Sequence, residues 1–346
     1  MRTPTSLKPL AFAAGLGLLA RHLTRRARRL ELRGKVVVIT GGSRGLGLAV
    51  AHELGRRGCR LAICGRDGDA LERARHELVE AGVDVMSSVC DAGDEVEVER
   101  FVAAVEDHFG AVDVLVANAA TIQVGPLEAM TRRDFVDAFN DIFWTAYNPT
   151  MAVLPAMRRR RAGRIVHITS IGGKVGVPHL APYSSAKFAL VGFSEALRAE
   201  LAGTGVRVTT VVPGLMRTGS HVNASFKGQA EKEFAWFSLA ATSPLTSVSA
   251  ARAAREVVDA LEHGEAERVI SLPAKLAAFA HGIAPGLVSE LMGAQKRLLP
   301  SHDRPTQSVP GTEVERDAPA SSVIEALGGA STAQYNQRPQ PGPARG

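Results

Sequence analysis

An alternation running from Lys35 to Val212 constrains this chain more than any other feature. Short β-branched runs, VVVIT (Val36 to Thr40), RLAIC (Arg60 to Cys64), VDVMSSV (Val83 to Val89), DVLVAN (Asp113 to Asn118), RIVHITS (Arg164 to Ser170) and RVTTVV (Arg207 to Val212), are separated by amphipathic stretches such as DALERARHELVEAG. Continuous apolar runs of this length suit strands buried on both faces, with the intervening helices covering them. The expected fold is α/β, a doubly wound parallel sheet, and such sheets bind ligands beyond the carboxyl ends of their strands.

The pattern divides the chain. ERVISLP (Glu267 to Pro273) reads as a last strand, so the catalytic domain is expected over 34–273, with a helical extension over 274–299. Residues 300–346 are rich in Pro, Gly, Ser, Gln and Ala and poor in large apolar side chains, which predicts a disordered tail. Residues 1–33 hold an apolar run, Pro9 to Ala20, followed by RHLTRRARR. That run is short for a spanning helix, which needs about 20 residues. It reads either as an interfacial or signal-anchor-like segment with its arginines on the cytoplasmic side, or as a basic leader that is disordered or packed on its own fold.

The formal charge of +6 is concentrated there: the first 35 residues carry nine Lys or Arg and one acid, and the rest carries 32 basic and 34 acidic residues. A nearly neutral body gives no electrostatic footprint for nucleic acid. Cys59, Cys64 and Cys90 are odd in number and lack C-x-x-C spacing, so neither a disulfide framework nor a metal site is expected, and a reducing, cytoplasmic setting fits.

Two local patterns carry chemistry. TGGSRGLG, Thr40 to Gly47, lies between the first strand and the first helix. A glycine turn there lets backbone approach a pyrophosphate, whose charge the helix N-terminus stabilises, so Gly41, Ser43, Arg44, Gly45, Leu46 and Gly47 are candidate cofactor contacts. The second strand ends in CGRD, with Gly65 where an NAD-preferring site carries an acid, and then Arg66. Arg44 and Arg66 complement a 2′-phosphate, which favours NADP(H), while Asp67 suits a helix cap. The second pattern is YSSAK: Tyr183 and Lys187 lie four residues apart and so share one helix face. Taken alone, the pair reads as a Tyr and a Lys sharing a solvated face.

Together these residues resemble the short-chain dehydrogenase/reductase family. Thr40-Gly41-x-x-x-Gly45-x-Gly47 matches its glycine turn, and Tyr183-x-x-x-Lys187 its catalytic pair. Ser170, 13 residues before Tyr183, stands at the family serine's spacing. Pro213-Gly214 followed by Thr218 matches the segment on the nicotinamide side, and Asp91 the adenine contact. The resemblance covers about residues 34–272 and implies a Rossmann-type three-layer α/β/α fold, a single-domain NADP-type enzyme and a homo-oligomer through its long helices. It implies that Tyr183 exchanges a proton with substrate, that Lys187 lowers the phenol's pKa and holds the nicotinamide ribose, and that Ser170 bonds the carbonyl oxygen.

Two departures stand out. The family's N-N-A-G appears as Ala117-Asn118-Ala119-Ala120, which keeps Asn118. Counting back from Pro155, Ile142 occupies the usual catalytic asparagine position, with Asn140 and Asp141 beside it. The proton relay is then lost, rebuilt through water, or restored by a local kink. Residues 215–247, with Met216, Phe226, Phe234, Trp236 and Phe237, read either as a lid over an apolar substrate or as aromatics fixing a loop to the core. The expected function is oxidation or reduction between a secondary alcohol and a ketone, or an alcohol and an aldehyde, on a lipophilic small molecule. The alternative is a nucleotide-binding regulatory or scaffold protein that has lost turnover.

Overall fold

The structure is a computed structural model, and it describes residues 25, 26 and 28–338. Seven parallel strands form the central sheet: β1 (Val36–Thr40), β2 (Arg60–Gly65), β3 (Val85–Val89), β4 (Val114–Ala117), β5 (Gly163–Ile168), β6 (Val206–Pro213) and β7 (Glu267–Ile270). Their spatial order is β3-β2-β1-β4-β5-β6-β7. The chain therefore winds outward from β1 in one direction and, from β4, in the other. This reversal opens a crevice above the carboxyl ends of β1 and β4, where Thr40 pairs with Ala117.

Helices cover both faces because the strand side chains alternate between them. Val37 and Ile39 of β1 join one apolar cluster with α1 (Gly45–Arg56), α2 (Gly68–Glu80) and α8 (Ala250–His263). Val36 and Val38 join the other, with α3 (Glu95–Phe109), α5 (Thr145–Arg159) and α6 (Ala181–Glu200). Every residue of β1 is buried, as its unbroken VVVIT run predicts. The three cysteines are free and buried. The remaining helices of the body are α4 (Arg132–Phe139), α7 (Ala230–Thr242), α9 (Leu272–Ile283) and α10 (Pro285–Lys296).

Within residues 215–247 the aromatics pack a satellite core: Phe226, Phe234 and Phe237 are buried together. Of the two readings open for this stretch, the structure takes the one in which aromatics fix the segment to the fold.

The expectation of a disordered tail fails over the described part. Residues 311–314 form a short helix α11 (Gly311–Val314), and α12 (Ser321–Gln334) follows. α12 buries itself with small residues: a Cβ at Gly328 would stand 2.6 Å from Thr242 Cγ2 on α7. Close backbone approach replaces large side chains there, so composition does not reveal the packing.

The apolar run Pro9 to Ala20 lies outside the described residues. Part of the basic segment after it packs on the fold, with Arg25 pairing Asp259 at 2.8 Å and Arg29 pairing Glu262 at 2.5 Å. Among the described residues no helix is long and apolar enough to cross a membrane.

Candidate active site

The glycine turn sits at the crevice and is braced from β4. Asn118 donates its backbone N–H to Thr40 Oγ1 and its side-chain amide to the carbonyls of Thr40 and Gly41, at 3.1, 3.2 and 3.1 Å. Gly45 opens α1 in the left-handed region, at φ +60°. Gly47 is glycine for another reason: a Cβ there would stand 2.1 Å from the Gly41 carbonyl oxygen. The turn closes on itself only if that position lacks a side chain. Gly41, Ser43, Arg44, Gly45 and Leu46 line a cavity of about 520 Å³, whereas Gly47 lies behind it.

Arg66 and Asp91, at the ends of β2 and β3, line the same cavity. Both predicted phosphate-binding arginines are present but already paired. Arg44 donates to Asp67 at 2.5 Å and to Asn223 at 3.1 Å. Arg66 donates to Asp141 at 3.1 Å. Asp67 also caps α2 by accepting from Ala70 N, and that bond, with the neighbouring Arg44 guanidinium, holds its carboxyl below the usual range. Asp91 accepts from Gly93 N at 2.9 Å, which fixes the turn into α3.

Tyr183 and Lys187 border the opposite part of the cavity. Both lie on the first turns of α6, and β5 delivers Ser170 just beyond its carboxyl end. Ser170 Oγ accepts from Gly172 N at 3.0 Å, and its hydroxyl stands near enough to the Tyr183 phenol to pull that group's pKa down, although Ser170 itself does not line the cavity. Lys187 Nζ donates to the Ile168 carbonyl at 3.0 Å. Burial pushes the Tyr183 phenol up to about 12, against the opposing influence of the Ser170 hydroxyl. Burial also pulls the Lys187 ammonium down to about 7. The expected lowering of the phenol by Lys187 is not seen: desolvation raises the phenol, and the Lys187 ammonium bonds backbone instead.

Thr218 lines the cavity from the segment after β6. Pro213 and Gly214 do not; Pro213 ends β6, and Gly214 N just after it donates to Ile270 O at 3.0 Å, tying this end of the strand to β7.

The helix carrying the departure is kinked. A π turn, Asn140–Trp144, joins α4 to α5. It buries Ile142 in the core at 1% exposure and turns Asp141 toward the cavity. Asp141 accepts from Thr121 Oγ1 at 2.7 Å as well as from Arg66. The kink therefore brings a carboxylate, not an amide, to this wall.

Thr121, Asn223 and Gln337 line the cavity without having been singled out in the sequence, and Asp141 joins them. Only Asp141 had a signal, its place beside Ile142. Gln337 comes from the segment whose composition predicts disorder.

Residues 35–227 match the family described as short chain dehydrogenase. A putative ketoacyl reductase of Streptomyces coelicolor is 41% identical over 186 residues, 53% of this chain and 71% of that protein. The dehydrogenase/reductase SDR family member 7B of Mus musculus is 31% identical over 312 residues, covering 86% of this chain and 92% of the relative. Among solved structures, an actinorhodin polyketide ketoreductase variant with NADPH superposes with TM-score 0.60 at 32% identity, over 68% of this chain and 95% of its own. A short-chain dehydrogenase from Streptomyces avermitilis gives TM-score 0.65 at 28% identity, over 76% and 97%. With this fold, a glycine turn at its switch point and a family match over more than half its length, the chain belongs to the short-chain dehydrogenases/reductases, oxidoreductases that use NAD(P)H on small-molecule substrates.

Proposed function

We propose that the chain is an NADP(H)-dependent carbonyl reductase that converts a lipophilic ketone or aldehyde to its alcohol. The observation that carries this reading is the meeting of Tyr183 and Lys187, with Ser170 behind the phenol, at a cavity that Arg66 also lines. The residues fit an extended dinucleotide: the glycine turn leaves its backbone open at mid-cavity, and Arg44 and Arg66 stand beyond it. Once bound there, the dinucleotide supplies the hydride.

The chain's own residues do the rest. A phenol pushed up to about 12 keeps its proton at neutral pH, which is the state needed to protonate a developing alkoxide. Ser170 orients the phenol and offers its hydroxyl to the same oxygen. Lys187, pulled to about 7, gains its proton readily when a ribose hydroxyl or developing negative charge comes near. For Arg44 and Arg66 to hold a 2′-phosphate they exchange Asp67 and Asp141 for a dianion, a stronger partner for a guanidinium.

A second cavity of about 650 Å³ supports an apolar substrate, being lined by Val177, Pro178, Phe188 and Met292 next to Ser184, the neighbour of Tyr183.

The test is turnover of the purified full-length chain with NADPH and NADH against a panel of lipophilic carbonyls, beside Tyr183→Phe. Preference for NADH removes the role given to the two arginines. Dinucleotide binding without turnover on any carbonyl favours the scaffold reading, in which the loss of the asparagine at position 142 has ended catalysis.

A further inference from the structure

The end of the described chain runs back across the cofactor cavity. Beyond α12, Tyr335 is buried in the core with α1 and α8, and its carbonyl accepts from Gly45 N at 2.9 Å. Asn336 follows in the left-handed region, at φ +55°, which asparagine tolerates better than most residues. Its side-chain amide donates to the Ser43 and Ala70 carbonyls, both at 2.8 Å, and accepts from Arg73 Nε at 2.8 Å. One buried side chain thus clamps the glycine turn to α2.

Gln337 completes the crossing. Its Nε2 donates to Thr218 O at 3.0 Å, and its Oε1 and backbone oxygen accept from Asn223 Nδ2 at 2.6 and 3.0 Å. The same Nε2 lies 2.8 Å from where a Cβ of Gly45 would stand. Gln337 therefore bridges the glycine turn and the segment after β6 while lining the cavity between them. A dinucleotide reaching from Arg66 to Tyr183 must pass through that gap.

We infer that residues 335–337 are a strap that closes over the middle of the bound dinucleotide. Gln337, whose side-chain amide has two N–H donors and spends one on Thr218 O, offers the other to the diphosphate. Cofactor exchange then requires the strap to lift, with Asn336 as its latch. This rests on the dinucleotide reading of the cavity. The strap adds a binding element that no glycine-turn motif announces, contributed from nearly 300 residues away: Asn336 and Ser43 are separated by 293 positions.

The experiment is stopped-flow association and displacement of NADPH, followed by its fluorescence, on the full-length chain, Asn336→Ala, Gln337→Ala and Arg73→Ala. Releasing the latch in Asn336→Ala is expected to raise the dissociation rate about tenfold or more, as one to two net hydrogen bonds would. Association should quicken as well, because the gate stands open in both directions. Gln337→Ala should speed dissociation while leaving association nearly unchanged. Arg73→Ala removes only an outer support of Asn336 and should give a smaller change of the same sign, which keeps the test valid should Asn336→Ala fold poorly. Dissociation rates within about twofold of the full-length chain in all three variants overturn the strap while leaving the dinucleotide site standing. Failure of NADPH and NADH to bind the full-length chain and every variant overturns the dinucleotide reading and the strap together.

Discussion

Lys187 Nζ lies 5.7 Å from the centroid of the Tyr183 ring. The two side chains leave the same helix one turn apart, yet the ammonium bonds the Ile168 carbonyl. Burial drives them in opposite senses on the pH scale, to about 12 for the phenol and about 7 for the amine. Both shifts favour the uncharged form. Under the proposed function the phenol holds the proton to be delivered, beside a lysine whose charge depends on what binds next to it.

Replacing Tyr183 by Phe removes that proton and nothing of the cavity's shape. The expected loss in kcat is about 10²- to 10⁴-fold, the usual contribution of a positioned acid. NADPH affinity should hold within about twofold, since the ring remains. Steady-state kinetics beside fluorescence titration separates the two, and an unaltered kcat would remove Tyr183 from the chemistry.

Lys187 also leaves a mark on stability. Its pKa falls from 10.5 in the unfolded chain to about 7 in the fold, so between those values the unfolded chain binds more protons at this side chain. Its contribution to stability therefore rises with pH across that window. Urea midpoints of the cofactor-free protein should climb more steeply with pH in the wild type than in Lys187→Met. Parallel curves for the two proteins would contradict the burial-driven shift.

Ile142→Asn restores the family's residue to the sequence but not to the site. Ile142 is 1% exposed and packs in the core with Ala146 and Val153, so the new amide would be buried among apolar side chains. The expected cost is about 3 kcal/mol, from lost apolar burial and an unsatisfied amide. Thermal unfolding should report a lower Tm with no gain in kcat, whereas a faster, equally stable enzyme would mean that the π turn shifts on substitution.

Gly47→Ala tests the closure of the turn. Its Cβ would meet the Gly41 carbonyl oxygen at 2.1 Å and the Asn118 amide nitrogen at 2.7 Å, and backbone cannot yield as a flexible side chain does. A loss of about 1–3 kcal/mol in stability is expected from overpacking, together with weakened NADPH binding. Wild-type Tm and affinity in this variant would show that the turn has slack.

Much of the site was legible because its chemistry is carried by local spacing. A glycine turn between strand and helix needs residues 41–47 only, and the Tyr183 to Lys187 interval is one helical turn. Ser170 came only from the family resemblance, by its distance from Tyr183. The pairing of Arg44 with Asp67 and Asn223, and of Arg66 with Asp141, was not legible, since those partners meet only when separate loops converge on the crevice. Asp141 in particular faces the cavity because of a π turn, and one extra residue in a helical turn is invisible to a 3.6-residue pattern.

By itself the sequence determined the parallel α/β architecture and the seven strands, because hydrophobic period acts within a few residues; Ser170, Tyr183 and Lys187 were named as a set by the family resemblance. The tertiary structure alone decided the state of the phenol, the fate of position 142 and the course of residues 311–338. The physical reason is common to all three. Desolvation, helix register under packing, and close approach of small-residue helices depend on what the surrounding chain brings near, and composition carries no record of that.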